Sequence, residues 1–280
     1  MRARSALLVA ALLVAGCSGD DDAPDGSSAT SAPTTSVAPA EPPAAFGEAT
    51  EPVVVGHRGA AGHFPDNTLE AFAGAAELGA DWVELDVRLS SDGQAVLSHD
   101  PETEDGTVVA TTTAAELGLP TLLEALEVVD EHGLGVDVEI KSDPSEATYD
   151  PSLAVVEEAM ANLIARPIEG PIVVTSFDRA AVDRARELTD DRFPTALIAG
   201  GIGDAAQLRT DLLDAGHEGV VLNHEAADAE LVHTLSTGGL TLWVYTLDDP
   251  TRAAALVGLG VEGIVTDLPD VISERLDLLR

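Results

Sequence analysis

Polar side chains that could do chemistry follow three apolar segments of the chain, at the point where each segment ends. The segments with their polar ends are Val53-Val-Val-Gly-His57-Arg58, Trp82-Val-Glu84-Leu-Asp86 and Val136-Asp-Val-Glu139-Ile-Lys141. If the apolar residues form buried strands, these ends lie at the carboxyl edge, where ligands bind in parallel α/β sheets and barrels. Carboxylates, a guanidinium and an amine would meet there, which predicts a site for an anion and a metal.

The spacing of the acids indicates which metal such a site would hold. Glu84 and Asp86 are two residues apart, so on a strand both face the same side. Two carboxylates facing an apolar interior are costly unless a cation lies between them. Together with Glu139 they form an oxygen-only set that suits Ca²⁺ or Mg²⁺ better than zinc. A structural ion network, in which the acids pair with Arg88 or Lys141, fits the same spacing.

Two of the seven histidines stand at such strand ends. His57 and His99 have ordinary pKa values near neutrality, so one could accept a proton while the other donates one. Asp100 either orients an imidazole or begins the next loop. We expect the other histidines to be surface or loop residues, namely His63, His132, His217, His224 and His233.

Short β-branched runs alternate with Ala-, Leu- and Glu-rich helical stretches from Val53 onward, which is the pattern of βα units. The predicted strands are Val53–Gly56, Trp82–Asp86, Gly135–Ile140, Ile172–Thr175, Thr195–Ala199, Gly219–Leu222, Leu240–Tyr245 and Gly263–Thr266. This order predicts an α/β fold, a (β/α)₈ TIM barrel. A doubly wound open sheet is the alternative, because no clean sequence repeat supports eightfold symmetry.

The second strand continues into a segment that reads as a small hairpin insertion. Asp92-Gly93 lies at the centre of Val87–Leu97 and supplies the positive φ that a tight turn needs. The returning strand would bring Ser98-His99-Asp100 back to the same edge of the barrel.

The composition limits the ligands. The formal net charge of −36 opposes binding to nucleic acid and to anionic lipid through a basic patch. A small phosphate ester stays compatible with a locally basic site, and Arg58 and Lys141 are two of only 14 Lys and Arg residues. Nothing in the sequence indicates a protein partner. Residues 53–280, about 230, match the size of one barrel domain.

The first 52 residues predict a membrane attachment rather than a fold. A basic start and a short apolar stretch precede Leu13-Val-Ala-Gly-Cys17, which resembles the end of a bacterial lipoprotein signal, so residues 1–16 would be removed and Cys17 lipidated. An ordinary secretory signal is the alternative. Residues 17–52 are rich in Ser, Thr, Pro, Ala and Asp and should form a disordered tether of about 30 Å. The domain would therefore be extracytoplasmic, with a lipid anchor in the cell membrane.

The chain resembles the glycerophosphodiester phosphodiesterase family over roughly residues 53–271. The matching stretches, in the family's order, are Gly56-His57-Arg58-Gly59, Pro65-Asp66-Asn67-Thr68-Leu-Glu-Ala71-Phe72, Glu84-Leu-Asp86-Val87, Asp92-Gly93, His99-Asp100, Val138-Glu139-Ile140-Lys141, Thr175-Ser176-Phe177, Trp243 and Gly260-Val-Glu-Gly263-Ile264-Val265-Thr266-Asp267-Leu-Pro269. The ordered set is far more specific than any one motif.

The resemblance implies a TIM barrel and a role for each matching residue. It implies that the divalent metal is held by Glu84, Asp86 and Glu139. The general acid and base would be His57 and His99, and phosphate oxygens would contact Arg58 and Lys141. It also implies that Trp243 forms a wall of the glycerol pocket.

The implied reaction is hydrolysis of glycerophosphodiesters, which are deacylated phospholipid head groups, to sn-glycerol 3-phosphate and an alcohol. Two alternatives stay open from the sequence. One is a phospholipase D-like or phosphoinositide-specific enzyme that uses the same barrel on intact lipids. The other is a lipoprotein that binds a phosphodiester without turning it over.

Two segments depart from the family's pattern. After Pro101 the chain reads Glu-Thr-Glu-Asp-Gly, which is acidic and shortened, and Trp243 is followed by Val-Tyr245-Thr246 where the family often has Thr-Val-Asn. Both changes concern the alcohol that is preferred. An acidic rim would attract cationic choline or ethanolamine head groups.

Overall fold

Eight parallel strands form a closed barrel in the computed structural model, which describes residues 44–279. A ninth, antiparallel strand lies outside the barrel. The strands are β1 (Val53–Gly56), β2 (Trp82–Leu89), β3 (Ala95–Leu97), β4 (Gly135–Ile140), β5 (Ile172–Ser176), β6 (Thr195–Ala199), β7 (Gly219–Asn223), β8 (Thr241–Tyr245) and β9 (Gly263–Thr266).

The order of the strands confirms the predicted barrel and excludes an open sheet. The sheet runs β1-β9-β8-β7-β6-β5-β4-β2-β3, and β1 also pairs with β2, which closes the ring. The predicted hairpin is present as well: β3 pairs antiparallel with β2, and Gly93 in the turn has a φ of +77°.

Helices connect successive strands and cover the outside of the barrel. They are α1 (Leu69–Glu77), α2 (Ala114–Leu117), α3 (Leu122–Glu131), α4 (Ala154–Ala165), α5 (Arg179–Thr189), α6 (Ala205–Asp214), α7 (Ala229–Ser236), α8 (Pro250–Val257) and α9 (Pro269–Asp277). Many begin at a side chain that accepts a backbone N–H bond; Thr121, for example, forms a reciprocal capping box with Glu124 at the start of α3.

Side chains alternate along each strand between the barrel interior and the layer beneath the helices. On β1, Val53 and Val55 face the interior, whereas Val54 packs against the helical layer. The apolar interior contains Phe46, Val53, Val55, Trp82, Val173, Ala196, Ile198, Val221, Trp243 and Val265.

Aromatic rings fill the amino end of the barrel. Trp243 contacts Trp82 and Phe46 edge to face, with ring centroids 5.1 and 4.8 Å apart. Phe46 is only 5% exposed, although the sequence analysis assigned residues 17–52 to a disordered tether. That boundary is corrected here: an aromatic ring that fills the base of the barrel gains enough from burial to order residues 44–52.

A polar network also lies near this end. His217 was expected at the surface but is 2% exposed. Its burial is tolerated because Thr195 and Asp183 each form a hydrogen bond with one of its ring nitrogens at 2.7 Å. Next to it, the Glu218 carboxylate accepts bonds from Arg186 Nη1 and the backbone N–H of Thr195, both at 2.8 Å.

Between residues 44 and 279, none of the helices has the length and apolar character needed to cross a bilayer. The predicted signal peptide at residues 1–16, Cys17 and most of the predicted tether lie outside the described residues.

Candidate active site

Three buried carboxylates meet inside the mouth of the barrel, which is its carboxyl end. Glu84 and Asp86 follow Trp82 on the inward face of β2, and Asp86 pairs in register with Glu139 on β4. One carboxylate oxygen from each of the three acids lies within 4.8 Å of the others. The sequence therefore predicted this convergence correctly.

The acids have strongly altered pKa values. Burial raises the pKa of Glu84 well above its ordinary value, and the charges of Asp86 and Glu139 raise it further. Burial also raises the pKa of Glu139 to about 7, although Lys141 opposes the change. For Asp86 the attraction of Lys141 and Arg58 outweighs burial and lowers the pKa to about 2. The cluster thus holds more potential negative charge than its two cations neutralise.

Lys141 and Arg58 supply those two cations. Lys141 Nζ lies 2.7 Å from Glu139 Oε1 and 2.9 Å from Asp86 Oδ1. Arg58 Nε lies 3.2 Å from Asp86 Oδ2, and its Nη1 donates to Asp66 Oδ2 at 3.0 Å. The ion network that the sequence left open is therefore present in part, around Lys141.

The donor set also fits a divalent cation. Glu84 Oε1 is buried and has no hydrogen-bond partner in the part of the chain that the structure describes. Such an oxygen is costly unless a ligand uses it. Three carboxylates, with no thiolate among them, suit a hard cation such as Ca²⁺ or Mg²⁺. Glu84, Asp86 and Glu139 would hold it.

The loop after β1 adopts a strained conformation that directs its backbone toward the acids. Arg58 has a φ of +50°, and its backbone N–H donates to Glu84 Oε2 at 2.8 Å. Gly59 has a φ of +91°, and a Cβ there would lie 2.5 Å from the backbone carbon of Ala71, so only glycine fits. Backbone strain of this kind is typical of functional sites.

Asn67 is a site residue that strand spacing did not reveal. Its Nδ2 donates to Asp86 Oδ2 at 2.7 Å, and its Oδ1 accepts from the Asp86 backbone N–H at 3.1 Å. Asn67 also has a positive φ of +55°, and its own N–H bonds to the carbonyl of Arg58. This double clamp fixes the carboxylate of Asp86. The only sequence signal was the Pro65–Thr68 motif of the family resemblance.

His57 is held by an acid from the opposite end of the chain. Its Nδ1 lies 2.6 Å from Oδ1 of Asp267, which follows the last barrel strand. Asp267 is itself fixed because its backbone N–H donates to Asp248 Oδ1 at 2.9 Å. The other ring nitrogen of His57, Nε2, is 4.0 Å from Glu84 Oε2 and stays available for a ligand.

His99 lies on the far side of the same cavity. Its Nδ1 is 2.8 Å from Oδ1 of Asp100, an exposed carboxylate. Burial, followed by the charge of Lys141, lowers the pKa of His99, so the neutral imidazole is favoured. A neutral ring can accept a proton.

The catalytic cavity is the space of about 130 Å³ between these groups. It is lined by His57, Arg58, Glu84, His99, Asp137, Glu139, Lys141, Phe177, Ile198, Val221, Tyr245, Thr246 and Val265. Asp137 adds a fourth buried acid that the sequence analysis did not assign. Burial raises its pKa to about 8, so it is protonated at neutral pH and does not add a further negative charge.

The aromatic wall of the cavity differs from the expectation. Trp243 was predicted to line the glycerol pocket, yet it is 1% exposed and lies deeper, among the aromatic rings at the base. Tyr245 faces the same way, two residues nearer the mouth, and lines the cavity in its place. Its ring meets Phe177 edge to face at 5.9 Å.

The sequence of this chain matches the model of the glycerophosphoryl diester phosphodiesterase family over residues 57–271. The chain belongs to this family. It is accordingly an enzyme, a phosphoric diester hydrolase. The match spans every residue of the carboxylate cluster and both histidines of the cavity.

Relatives and solved structures agree with this membership. YhdW of Bacillus subtilis is 30% identical over 243 residues, which cover 78% of this chain and 96% of that protein. A glycerophosphodiester phosphodiesterase of Caldanaerobacter subterraneus is 27% identical, over 79% of this chain and 96% of its own length. A phosphodiesterase structure from Oleispira antarctica, in complex with the product sn-glycerol-3-phosphate, superposes with a TM-score of 0.74 at 27% identity. It covers 81% of this chain and 97% of that one.

Proposed function

We propose that this enzyme hydrolyses glycerophosphodiesters to sn-glycerol 3-phosphate and an alcohol, with a divalent cation as cofactor. One observation carries the proposal: two histidines, an arginine and a lysine line one small cavity, next to which three buried carboxylates converge. The product in the related Oleispira antarctica structure, sn-glycerol-3-phosphate, supports the same substrate class.

Two cations of the cavity are suited to binding the phosphate. Arg58 and Lys141 each contact two carboxylates, but a guanidinium has five N–H donors and an ammonium three, more than these contacts use. Phosphate oxygens would bind to their remaining N–H donors, as charge-assisted hydrogen bonds. A divalent cation held by Glu84, Asp86 and Glu139 would offset the excess negative charge of the acids and would polarise a phosphoryl oxygen.

The two histidines would carry the protons. In the proposed first step the glycerol 2-hydroxyl attacks phosphorus, and one imidazole removes its proton. The other imidazole protonates the leaving alcohol oxygen as the P–O bond breaks. Water then opens the cyclic phosphate, with the proton transfers reversed, to give sn-glycerol 3-phosphate. Stabilising the charge that grows on the phosphoryl oxygens falls to Arg58, Lys141 and the cation.

The surroundings of the histidines support a difference between them. The contact of His57 Nδ1 with Asp267 fixes the ring so that Nε2 is the nitrogen available to a ligand. Burial and Lys141 favour a neutral ring at His99. We therefore assign the initial proton acceptor to His99, which leaves the donation to the leaving alcohol to His57.

A second, wider cavity of about 520 Å³ shares Arg58 and His99 with the catalytic cavity. Its acidic lining consists of Asp66, Asp100, Glu102, Glu104, Asp105 and Glu116. This lining supports the expectation from the acidic segment after Pro101 that cationic choline or ethanolamine alcohols are preferred.

The test is release of glycerol 3-phosphate from a panel of soluble diesters: glycerophosphocholine, glycerophosphoethanolamine, glycerophosphoinositol and glycerophosphoglycerol. Each is assayed with Mg²⁺, with Ca²⁺ and after EDTA, alongside vesicles of intact phosphatidylcholine and phosphatidylinositol. We expect release from the soluble diesters that EDTA abolishes and either cation restores. Hydrolysis of the vesicles alone would replace the proposal with a lipid phosphodiesterase, and binding without turnover would reduce it to a binding protein.

We also propose that Cys17 is lipidated and anchors the domain on the outer side of the cell membrane. The support is the signal-like sequence that ends at Cys17. Cys17→Ser should move the protein from the membrane fraction to the soluble fraction, with its catalytic constants unchanged. A serine variant that still sediments with membranes would contradict the anchor.

A further inference from the structure

Arg88 stands outside the carboxylate cluster but next to it, near the end of β2. Its side chain is well buried, and the residue is 7% exposed. The guanidinium makes two pairs of hydrogen bonds. Nε and Nη2 donate to the backbone carbonyl of His99 at 3.0 and 2.7 Å, and Nη1 and Nη2 donate to the two oxygens of Glu146 at 2.8 Å each.

The carbonyl contact matters because the ring of His99 has little else to hold it. Within residues 44–279, the ring has one side-chain hydrogen bond, to Asp100, a neighbour whose side chain is 74% exposed. Exposed ion pairs contribute little to positioning. His99 lies between β3 and a 3₁₀ helix at Val109–Thr111, in a segment whose β-pairing is an isolated bridge between Glu102 and Val108. The backbone N–H of Ser98 donates to the carbonyl of Asp86 at 3.1 Å, and the Arg88 fork holds the carbonyl of the next residue, His99. Residues of β2 thus fix the backbone that carries the ring.

Glu146 links this arrangement to a second loop. It lies between β4 and α4, in the loop that begins at Lys141. Lys141 contacts two acids of the cluster, and Glu146 receives both hydrogen bonds of the Arg88 fork. Arg88 thus joins the loop that carries His99 to the loop that carries Lys141. The first loop carries the proposed proton acceptor, His99, and the second carries the proposed phosphate-binding cation, Lys141.

Only arginine can make this connection. Its five N–H donors form a planar fork that can bind a carboxylate in two places and still reach a carbonyl. A lysine at this position would carry the same charge but could not hold both partners in fixed directions.

We propose that Arg88 is a positioning residue for His99, and that Glu146 fixes Arg88 in the required orientation. The inference rests on the proposed function, because it assigns Arg88 to the reaction in which His99 moves a proton. It predicts that Arg88 affects the rate of chemistry rather than the binding of the diester.

The principal test compares Arg88→Lys with Arg184→Lys. Arg184 also pairs with glutamates, Glu157 and Glu187, but on the outer helices α4 and α5. Arg88→Lys should lower kcat for glycerophosphocholine about 10- to 100-fold, with KM changed less than about threefold, because small displacements of a reacting group are costly. Arg184→Lys should leave both constants unchanged. The proposal would be overturned if KM rose by the same factor as kcat fell, or if neither constant changed.

Chemical rescue separates positioning from packing. In Arg88→Gly, added guanidinium ion should restore part of kcat, because it can occupy the vacated space and bind the same carbonyl and carboxylate. An equal concentration of methylammonium should restore less. If neither ion raises kcat in a folded variant, or both raise it equally, the fork geometry has no role. Glu146→Gln covers the case in which the Arg88 variants do not fold, and it should lower kcat by a smaller factor.

A measurement without substrate distinguishes this inference from the function itself. The ring carbon–proton signals of His99 in the NMR spectrum should shift in Arg88→Lys, whereas those of His63 and His132 should not. If wild-type protein fails to cleave any glycerophosphodiester yet this shift occurs, the proposed function fails and the coupling of Arg88 to His99 stands. If the enzyme is active and the His99 signals are unchanged, the coupling fails alone.

Discussion

The two ends of the barrel contain the same kinds of side chains but use them differently. Near the amino end, both ring nitrogens of His217 have a partner and the Glu218 carboxylate accepts two hydrogen bonds. At the mouth, one nitrogen of His57 has no partner within hydrogen-bond distance among the described residues, and Glu84 Oε1 has none there either. A satisfied polar network stabilises a fold, whereas buried groups without partners are retained where a ligand supplies the missing contact.

The largest difference between the two ends should come from glutamate-to-glutamine changes. Glu84→Gln removes a carboxylate ligand and should lower kcat/KM by roughly 10³-fold, equivalent to several kcal/mol of lost transition-state stabilisation. In EDTA it should raise the free energy of unfolding by about 1 kcal/mol, because it relieves repulsion from Asp86 and Glu139. Turnover and urea unfolding are the measurements.

Glu218→Gln is the matched control at the amino end. It weakens bonds to Arg186 and Thr195, so it should lower the free energy of unfolding by about 1–3 kcal/mol and leave kcat/KM unchanged. The contrast would be broken if Glu84→Gln kept full activity or Glu218→Gln lost it.

Replacing a histidine at the mouth should likewise lower activity and leave stability nearly unchanged. His57→Asn should lower kcat by about 10²–10⁴-fold, because a general acid–base group is lost. Its unfolding midpoint should stay close to that of the wild type, since the His57 side chain lines the cavity and is 17% exposed, and its replacement removes no residue of the apolar core clusters. A variant that unfolds readily but retains its kcat when folded would assign His57 to stability.

Asp267→Asn should have an intermediate effect. The amide can still contact Nδ1 of His57, but it can present either its oxygen or its NH₂ group, so it orients the ring less firmly than the carboxylate does. We expect kcat to fall about 10- to 100-fold, with the unfolding midpoint nearly unchanged. Steady-state kinetics with glycerophosphocholine and a thermal melt measure both. An unchanged kcat would show that His57 needs no orienting acid.

The smallest effect concerns the pH dependence of stability. Burial lowers the pKa of His217 below the ordinary 6.5, although Asp183 opposes the change. The unfolded chain therefore binds a proton at a higher pH than the folded one, and stability should fall as pH decreases from 6.5 toward the lowered pKa. His217→Asn should lose this slope and leave kcat unchanged. Urea unfolding at several pH values measures it, and an identical slope in both proteins would contradict the assignment.

The sequence predicted those parts of the site that depend on strand geometry. Glu84, Asp86 and Glu139 were found because alternation along a buried strand fixes the face of each residue and parallel strands end together. The same rule, applied to Thr266-Asp267 at the end of β9, could have found the partner of His57. The matched family segments also located His99.

Contacts between β2 and distant loops do not follow from strand periodicity. Asn67 and Asp86 are 19 residues apart, and Arg88 and Glu146 are 58 apart, with no periodic pattern to connect them. Their pairing depends on loop conformations, including the positive φ of Asn67, that propensity does not specify. Trp243 and Tyr245 face the same side of β8, so alternation along the strand could not distinguish them. Tyr245 lies nearer the mouth, and for that reason it lines the cavity and Trp243 does not.

Phe46 determines from which side the polypeptide enters the barrel. Its ring covers Trp243 at the end opposite to the mouth, so residues 44–46, the first that the structure describes, lie at the base. The first described residues and the cavity therefore lie at opposite poles of the domain. A carrier protein fused before residue 44 would leave the diester's approach unobstructed.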